Sequence, residues 1–355
     1  MSASRNDGAK IAIAAMLAGP LLATVVACAR QPDRQLDELF VDYSASDRPG
    51  ASVIVIKQGV PVAIRSYGSA DIERGIAIKP ETNFRLASIS KQFTATAIMM
   101  LVERGELQLD STLTELLDEF PDYGSNITLR HLLQHNSGLI DYEFLMADDF
   151  SGQVSDLDAL NLVAERDSTY FDPGTEFRYS NTGYAILAVL VERVSGQPYA
   201  EFLEQNIFEP LGMDNTVAYQ KGISTVANRA YGYTVDEQGV RDTDQSSTSA
   251  VLGDGGIYTS VLDYFKWDQA LYTDRLLSRA SLEQMWTPNF GDYGFGWRID
   301  NYKGHKRLHH DGETSGFRNY VIRIPDEQLT VLVLTNRSAP DVKPLAEAVV
   351  ELYLP

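Results

Sequence analysis

Strand patterns stand at both ends of this chain and helical patterns fill its middle, and that arrangement restricts the fold more than any other feature. From Ala51, the run Ser52-Val53-Ile54-Val55-Ile56, a polar turn at Gln58-Gly59 and the stretch Val62 to Tyr67 predict a hairpin of β-branched residues. Tyr293 to Ile299, Arg307 to His309, Asn319 to Ile324 and Leu329 to Leu334 predict further strands, the last two joined by a turn at Pro325-Asp326-Glu327. Between the two sets, Asp156 to Arg166 follows Ser155 with Asp158 three residues on, and Val261 to Tyr272 follows Ser260 with Asp263, both capping-box starts. Thr182 to Val194 stops at Ser195-Gly196, a helix C-cap signal, and Val342 to Leu354 carries Leu345, Val349 and Leu352 at helical spacing. The expectation is an α+β fold: an antiparallel sheet closed by the N- and C-terminal parts, flanked by helices, with an all-helical subdomain inserted over roughly 110–290. A site between sheet and insert would be a cleft.

With 355 residues, 44% hydrophobic and 22% charged, the chain has the composition of a globular protein with a sizeable core. Its net charge of −19 repels phosphate backbones and anionic headgroups, which argues against a nucleic-acid partner or a peripheral membrane role. Residues 1–29 read as a targeting segment: Arg5 and Lys10, an apolar run from Ile11 to Val26, then Ala27-Cys28-Ala29. Val25-Val26-Ala27-Cys28 resembles a bacterial lipobox, which makes Cys28 a candidate for lipidation, and ordinary cleavage after Ala29 fits the small-residue rule as well. Either route implies an exported bacterial protein, periplasmic or held to a membrane only by its N-terminal lipid. Residues 30–355 then form the working domain. Cys28 is the chain's one cysteine, so that domain has no internal disulfide and is held by packing.

The chemistry-bearing residues fall in three short motifs. Ser88-Ile89-Ser90-Lys91 opens an apolar-periodic stretch that runs to Gly105, and on a helix positions three apart share a face, so the Ser88 hydroxyl and the Lys91 amine can touch. Tyr179-Ser180-Asn181 and His310-Asp311-Gly312-Glu313, followed by Ser315-Gly316-Phe317, complete the set. Their order and wide spacing resemble the penicillin-recognising serine hydrolases: class C β-lactamases, low-molecular-weight penicillin-binding proteins, and related esterases and D-aminopeptidases. The likeness covers nearly everything after residue 32 and extends to Phe84-Arg85-Leu86-Ala87, His131-Leu132-Leu133-Gln134-His135-Asn136-Ser137-Gly138-Leu139, Pro173-Gly174-Thr175 and Tyr293-Gly294-Phe295-Gly296-Trp297.

The resemblance implies an acyl-enzyme on Ser88 and no cofactor. Ser88 needs a proton acceptor, and Lys91 and Tyr179 both qualify: a lysine when burial or a cation keeps it neutral, a tyrosine when nearby positive charge favours its phenolate. By resemblance, Asn181 bonds Lys91 and the acyl part of the substrate, and the backbone N–H groups of Ser88 and Glu313 hold the oxyanion. Asn181 also reads as a cap for the helix that follows. Gly312 and Gly316 leave room for a substrate along the strand edge, while His131 and His135 read as structural and the run Gly253-Asp254-Gly255-Gly256 as a loop that shapes the cleft, with contact to the substrate as the alternative.

The third motif departs from typical β-lactamases, which carry Lys-Thr-Gly or Lys-Ser-Gly where this chain has His310-Asp311-Gly312. A histidine there carries only partial charge near neutral pH, and Asp311 and Glu313 add carboxylates where a substrate carboxylate would dock. The expected partner is therefore a small ester, amide or peptide, neutral or bearing a free amine, in preference to a β-lactam or a D-Ala-D-Ala peptide. A penicillin-recognising sensor that acylates without turning over is the alternative from another class. A metal site at His305, His309, His310 and Asp311 is disfavoured, because strand positions four apart lie about 13 Å from each other. No Gly-x-Ser-x-Gly elbow of an α/β-hydrolase occurs.

Overall fold

The computed structural model describes residues 33–147 and 149–354. The targeting segment and Cys28 lie outside them. Six strands form one antiparallel sheet: β1 (Ala51–Lys57), β2 (Val60–Tyr67), β3 (Arg298–Tyr302), β4 (His305–Thr314), β5 (Phe317–Ile324) and β6 (Leu329–Thr335), in the spatial order β3-β4-β5-β6-β1-β2. The chain's two ends meet where β1 pairs with β6, Ala51 opposite Thr335 through Lys57 opposite Leu329. The β1–β2 turn needs positive φ at both central residues, and Gln58 (52°) and Gly59 (76°) supply it.

Both faces of the sheet are covered, which explains why β1 and β6 are almost unbroken apolar runs. Ile54, Ile56, Val321, Leu332 and Leu334 face the large core beneath the insert, which is not all-helical as expected but also carries short strands at Val217–Ala218, Tyr233–Asp236, Gly239–Asp242 and Ile257–Thr259. Val53, Val55, Ile322, Val331 and Val333 face a second core closed by Leu36, Phe40, Val349 and Val350 from the terminal helices. The alternation follows from the two-residue period of a strand.

Five helices carry the rest of the argument: α1 (Lys91–Glu103), α2 (Asp156–Ala164), α3 (Asn181–Ser195), α4 (Val261–Ala270) and α5 (Lys343–Tyr353). The Ser155–Asp158 capping box forms as its residues predict, and Gly196 ends α3 in the left-handed region at φ 69°. At α4 the box is half made. Ser260 accepts from the Asp263 N–H, but the Asp263 carboxylate turns to Asn215, Thr216 and Lys266.

The stretch expected as a strand from Tyr293 begins only at Arg298. Tyr293 to Trp297 is instead a tight loop in which Gly294 N–H bonds the Trp297 carbonyl and Gly296 has φ +74°. A Cβ on Gly296 would lie 2.7 Å from the Lys91 carbonyl oxygen, so the loop is shaped by its close approach to α1. The strand read at Arg307 to His309 is longer than its pattern suggested and carries His310-Asp311-Gly312 within β4.

One ion pair ties α4 to the sheet from inside. Arg323 on β5 and Asp268 on α4 are each at most 1% exposed, their Nε and Oδ1 atoms are 2.7 Å apart, and Thr330 on β6 donates to the same oxygen. Removing one partner of such a pair strands a buried charge. Asp268→Ala should cost about 3–5 kcal/mol in urea unfolding. The double variant Asp268→Ala/Arg323→Leu should recover part of that loss.

Candidate active site

Ser88 sits in a single 3-10 turn, Ala87–Ser90, that feeds directly into α1. It is half-exposed in a run of buried neighbours, and the residue before it, Ala87, is held at φ +51°. A non-glycine residue in that region stores strain, and such strain persists where the surroundings over-determine it. Here they do. Leu86 N–H bonds the Ile257 carbonyl, Asn319 Nδ2 donates to the Arg85 carbonyl at 2.8 Å, and the Arg85 guanidinium donates to the carbonyls of Gly255 and Ser249. Gly312 on β4 completes the clamp, since a Cβ there would lie 2.1 Å from the Leu86 carbonyl oxygen. The glycine is required by the approach of the nucleophile's turn to the strand.

Lys91 is fully buried and its Nζ has three acceptors: Ser88 Oγ at 3.1 Å, Asn181 Oδ1 at 2.8 Å and the Asp254 carbonyl at 2.9 Å. Burial lowers its pKa, while Asp254, Asp141, Asp311 and Glu143 pull the other way. Three acceptors match the three N–H donors of an ammonium. Asn181 is the first residue of α3, and its own N–H is capped by Asp141 Oδ2 at 2.6 Å. Its side chain is thereby free to accept from Lys91 and donate to Glu143 Oε1 at 2.9 Å.

The ring of Tyr179 is partly exposed but its hydroxyl is buried and makes no bond of sound geometry; Ser88 is near enough to favour its phenolate. Burial drives the phenol strongly toward its neutral form. Two cations oppose this, Lys91 Nζ at 5.1 Å and the Arg298 guanidinium at 5.3 Å from the ring centroid. His135 packs on the same ring at 4.1 Å and accepts the Ser180 N–H at Nδ1.

His310 differs from the expectation of a partly charged group along the substrate path. Its side chain is wholly buried, Nδ1 donates to the Asp311 carbonyl at 2.6 Å, and Nε2 accepts from the Tyr293 hydroxyl at 2.8 Å. Burial pushes it down to about 4, so it is neutral at pH 7. The carboxylates beside it differ as well. Asp311 pairs with Arg298 (3.2 Å) and Glu313 with Arg318 (2.6 Å), so neither presents a bare negative charge. Glu143 has no ion-pair partner among the described residues, as is also true of Asp254 and Arg85 on the same cavity, and burial and the nearby Asp141 raise its pKa.

A cavity of about 40 Å³ adjoins the nucleophile, lined by Ser88, Asn181, Asp254, Glu313, Glu143 and Arg85 among others. Gly253 to Gly255, expected as a loop, is part of one helical turn whose Asp254 carbonyl meets Lys91 and whose carboxyl accepts from the Tyr142 hydroxyl at 3.0 Å. The three sequence motifs thus converge, with Lys91 in contact with both Ser88 and Asn181, and Gly312 against Leu86 in the approach to the nucleophile's turn. Sequence reasoning missed Glu143 and Arg298 and placed Asp254 only near the cleft, without its contact to Lys91. An apolar-flanked Gly-Asp-Gly-Gly run was the signal for Asp254; the other two carried none.

A serine with a buried lysine and a tyrosine, at a helix N-terminus beside an antiparallel sheet, defines a serine hydrolase of the penicillin-recognising class. The chain belongs to the Beta-lactamase family, whose model matches residues 36–354. Penicillin-binding protein 4* of Bacillus subtilis (strain 168) is 35% identical over 328 residues, taking in 86% of this chain and 72% of that protein. A D-aminopeptidase of Brucella canis is 30% identical over 302 residues, 81% of this chain, and the match spans 56% of the aminopeptidase's length. In structure, D-amino acid amidase from Ochrobactrum anthropi SV3, complexed with L-phenylalanine amide, superposes with a TM-score of 0.76 at 25% identity, covering 90% of this chain and 96% of that one.

The neutral His310 makes stability depend on pH. Above its ordinary value of about 6.5, folded and unfolded states are both neutral; below it only the unfolded state takes the proton, so stability falls as pH drops toward about 4. Urea unfolding of the wild type should lose about 2 kcal/mol through this residue between about pH 6.5 and 5. His310→Gln should make that segment of the profile shallower without flattening it, because burial holds His135 and His309 neutral as well.

Proposed function

We propose that this serine hydrolase cleaves amides and short peptides whose acyl residue carries a free amine. The observation that supports this reading is Glu143, an unpaired carboxylate on the rim of the cavity that holds Ser88, fixed in direction by Asn181 Nδ2. An ammonium is its complement, and a substrate carboxylate at the same place would be repelled. The D-aminopeptidase and the D-amino acid amidase among the relatives support the same substrate class.

In this mechanism Ser88 Oγ attacks the amide carbonyl and its proton passes to Tyr179. Lys91, held as an ammonium by its three acceptors, favours the phenolate. The tetrahedral oxyanion takes hydrogen bonds from the N–H groups of Ser88 and Glu313. Collapse breaks the C–N bond, the amine leaves with the proton from Tyr179, and water then attacks the ester to release the acid and restore Ser88.

The test compares D-alanine p-nitroanilide with its N-acetyl derivative. Wild type should hydrolyse the free amine in preference, and Ser88→Ala should hydrolyse neither. Glu143→Gln should raise KM for the free amine by about 10-fold or more, the worth of a charge-assisted hydrogen bond, and leave the acetylated substrate unchanged. Equal turnover of both substrates by wild type would sink the amine reading while leaving the nucleophile intact.

We also propose export with lipidation at Cys28, supported by the lipobox-like Val25-Val26-Ala27-Cys28 behind an apolar run. Expressed in a bacterial host, wild type should partition with membranes and Cys28→Ser should move to the soluble fraction. Wild type found soluble, with an unmodified N-terminus by mass spectrometry, would overturn this.

A further inference from the structure

Where typical β-lactamases place a lysine, this chain has a buried neutral histidine, so the third motif brings no positive charge to the site. The Lys91 ammonium is one cation beside Tyr179, but burial of the hydroxyl still favours the neutral phenol, so a second cation adds to its ability to take a proton near neutral pH. We propose that Arg298, on β3 next to the strand that carries His310, supplies that fixed charge and positions Tyr179 electrostatically as the proton acceptor for Ser88. The inference rests on the serine hydrolase assignment and is independent of which amide the enzyme prefers.

The geometry is specific. Arg298 pairs with His309 in the β3–β4 register, one residue from His310, and its guanidinium lies 5.3 Å from the Tyr179 ring centroid and 5.7 Å from that of Tyr293. Asp311, the middle residue of the third motif, holds Arg298 Nε at 3.2 Å. The motif therefore still governs a cation, one strand away, through its aspartate. An arginine stays charged over the whole working range of pH, which a histidine or a buried lysine does not.

The other groups around Tyr179 are engaged as well, and Arg298 itself is held only by Asp311. Lys91, from α1, spends its three donors on Ser88, Asn181 and Asp254. His135, from the loop after residues 129–133, is held neutral by burial and by the cations near it, and His310 is neutral for the same first reason. Tyr184 on α3 donates to the Leu133 carbonyl, and Tyr293 donates to His310. Asp254 and Asp311 raise the pKa of Tyr179, and Arg298 lowers it. After burial and the Ser88 contact, Asp311 and Arg298 act on the phenol in opposite senses, so changing either member shifts its pKa.

The test is the pH dependence of phosphonylation by an alkyl fluorophosphonate, a neutral probe without an amine. Ser88 Oγ forms a bond to phosphorus, fluoride leaves with the P–F electron pair, and the serine proton goes to the base, so the rate reports that base. Arg298→Gln should slow the reaction about 10-fold or more at neutral pH and move the rising limb up by one to three pH units, roughly the effect of a charge at this range. Arg298→Lys should restore most of the rate. Asp311→Asn should move the limb the other way, and this variant keeps the arginine should Arg298→Gln fold poorly by its unfolding temperature. In a Tyr179→Phe background, Arg298→Gln should cost nothing further. Superimposable profiles for wild type and Arg298→Gln, or an equal loss with and without Tyr179, would overturn the proposal.

Discussion

The arrangement of the site depends on one buried cation. Lys91 is taken out of water at the start of α1, and a charge so placed is tolerable only if its donors are met. Ser88 meets one from the same turn, Asn181 another from the start of α3, and the Asp254 carbonyl the third from the turn Leu252–Gly255. Three separate stretches of chain are thereby drawn to within hydrogen-bond distance of one nitrogen. The nucleophile, the Tyr-x-Asn motif and the cleft wall take their mutual positions from that requirement.

The same logic runs outward. Asn181 can turn its side-chain oxygen to Lys91 because Asp141 satisfies its backbone N–H, and Asp141 also accepts from Glu143 N–H, which places the Glu143 carboxylate beside Asn181. On the other side, the strained Ala87 is held by Arg85, whose own carbonyl is held by Asn319 on β5. Preorganisation of this kind fixes the attacking oxygen before a substrate arrives.

What could be read from the residues was whatever local spacing encodes. Ser88 and Lys91 lie one turn apart, Tyr179 and Asn181 flank a helix start, and the β1–β2 hairpin and the α2 capping box declare themselves within a few residues. Resemblance to a known family supplied the rest of the order. Arg298 was invisible because nothing local distinguishes an arginine that begins a strand from one that faces solvent; its role depends on β3 pairing with β4, a contact between residues whose register only the folded sheet defines. Glu143 was invisible for a similar reason, lying in the short turn Tyr142–Phe144 brought to Asn181 by the Asp141 cap. The strand expected from Tyr293 failed because Gly294 and Gly296 serve close approaches to Met285 and α1, and a glycine's contact partner cannot be read from its neighbours in sequence.

Charge, more than shape, separates this site from one that receives a carboxylate. A cationic third motif would attract an anionic substrate end toward β4. Here His310 is neutral, Asp311 engages Arg298 and Glu313 engages Arg318, so the charges along that strand cancel in pairs. Glu143, on the cavity beside Ser88, has no ion-pair partner among the described residues and is fixed by Asn181. A ligand that presents an ammonium toward α3 gains where one that presents a carboxylate toward β4 gains nothing, and the preference arises with the nucleophile and its lysine unchanged. On the proposed reading, catalysis and selectivity are separable because the first centres on Ser88, Lys91 and Tyr179 and the second on Glu143 in the turn Tyr142–Phe144.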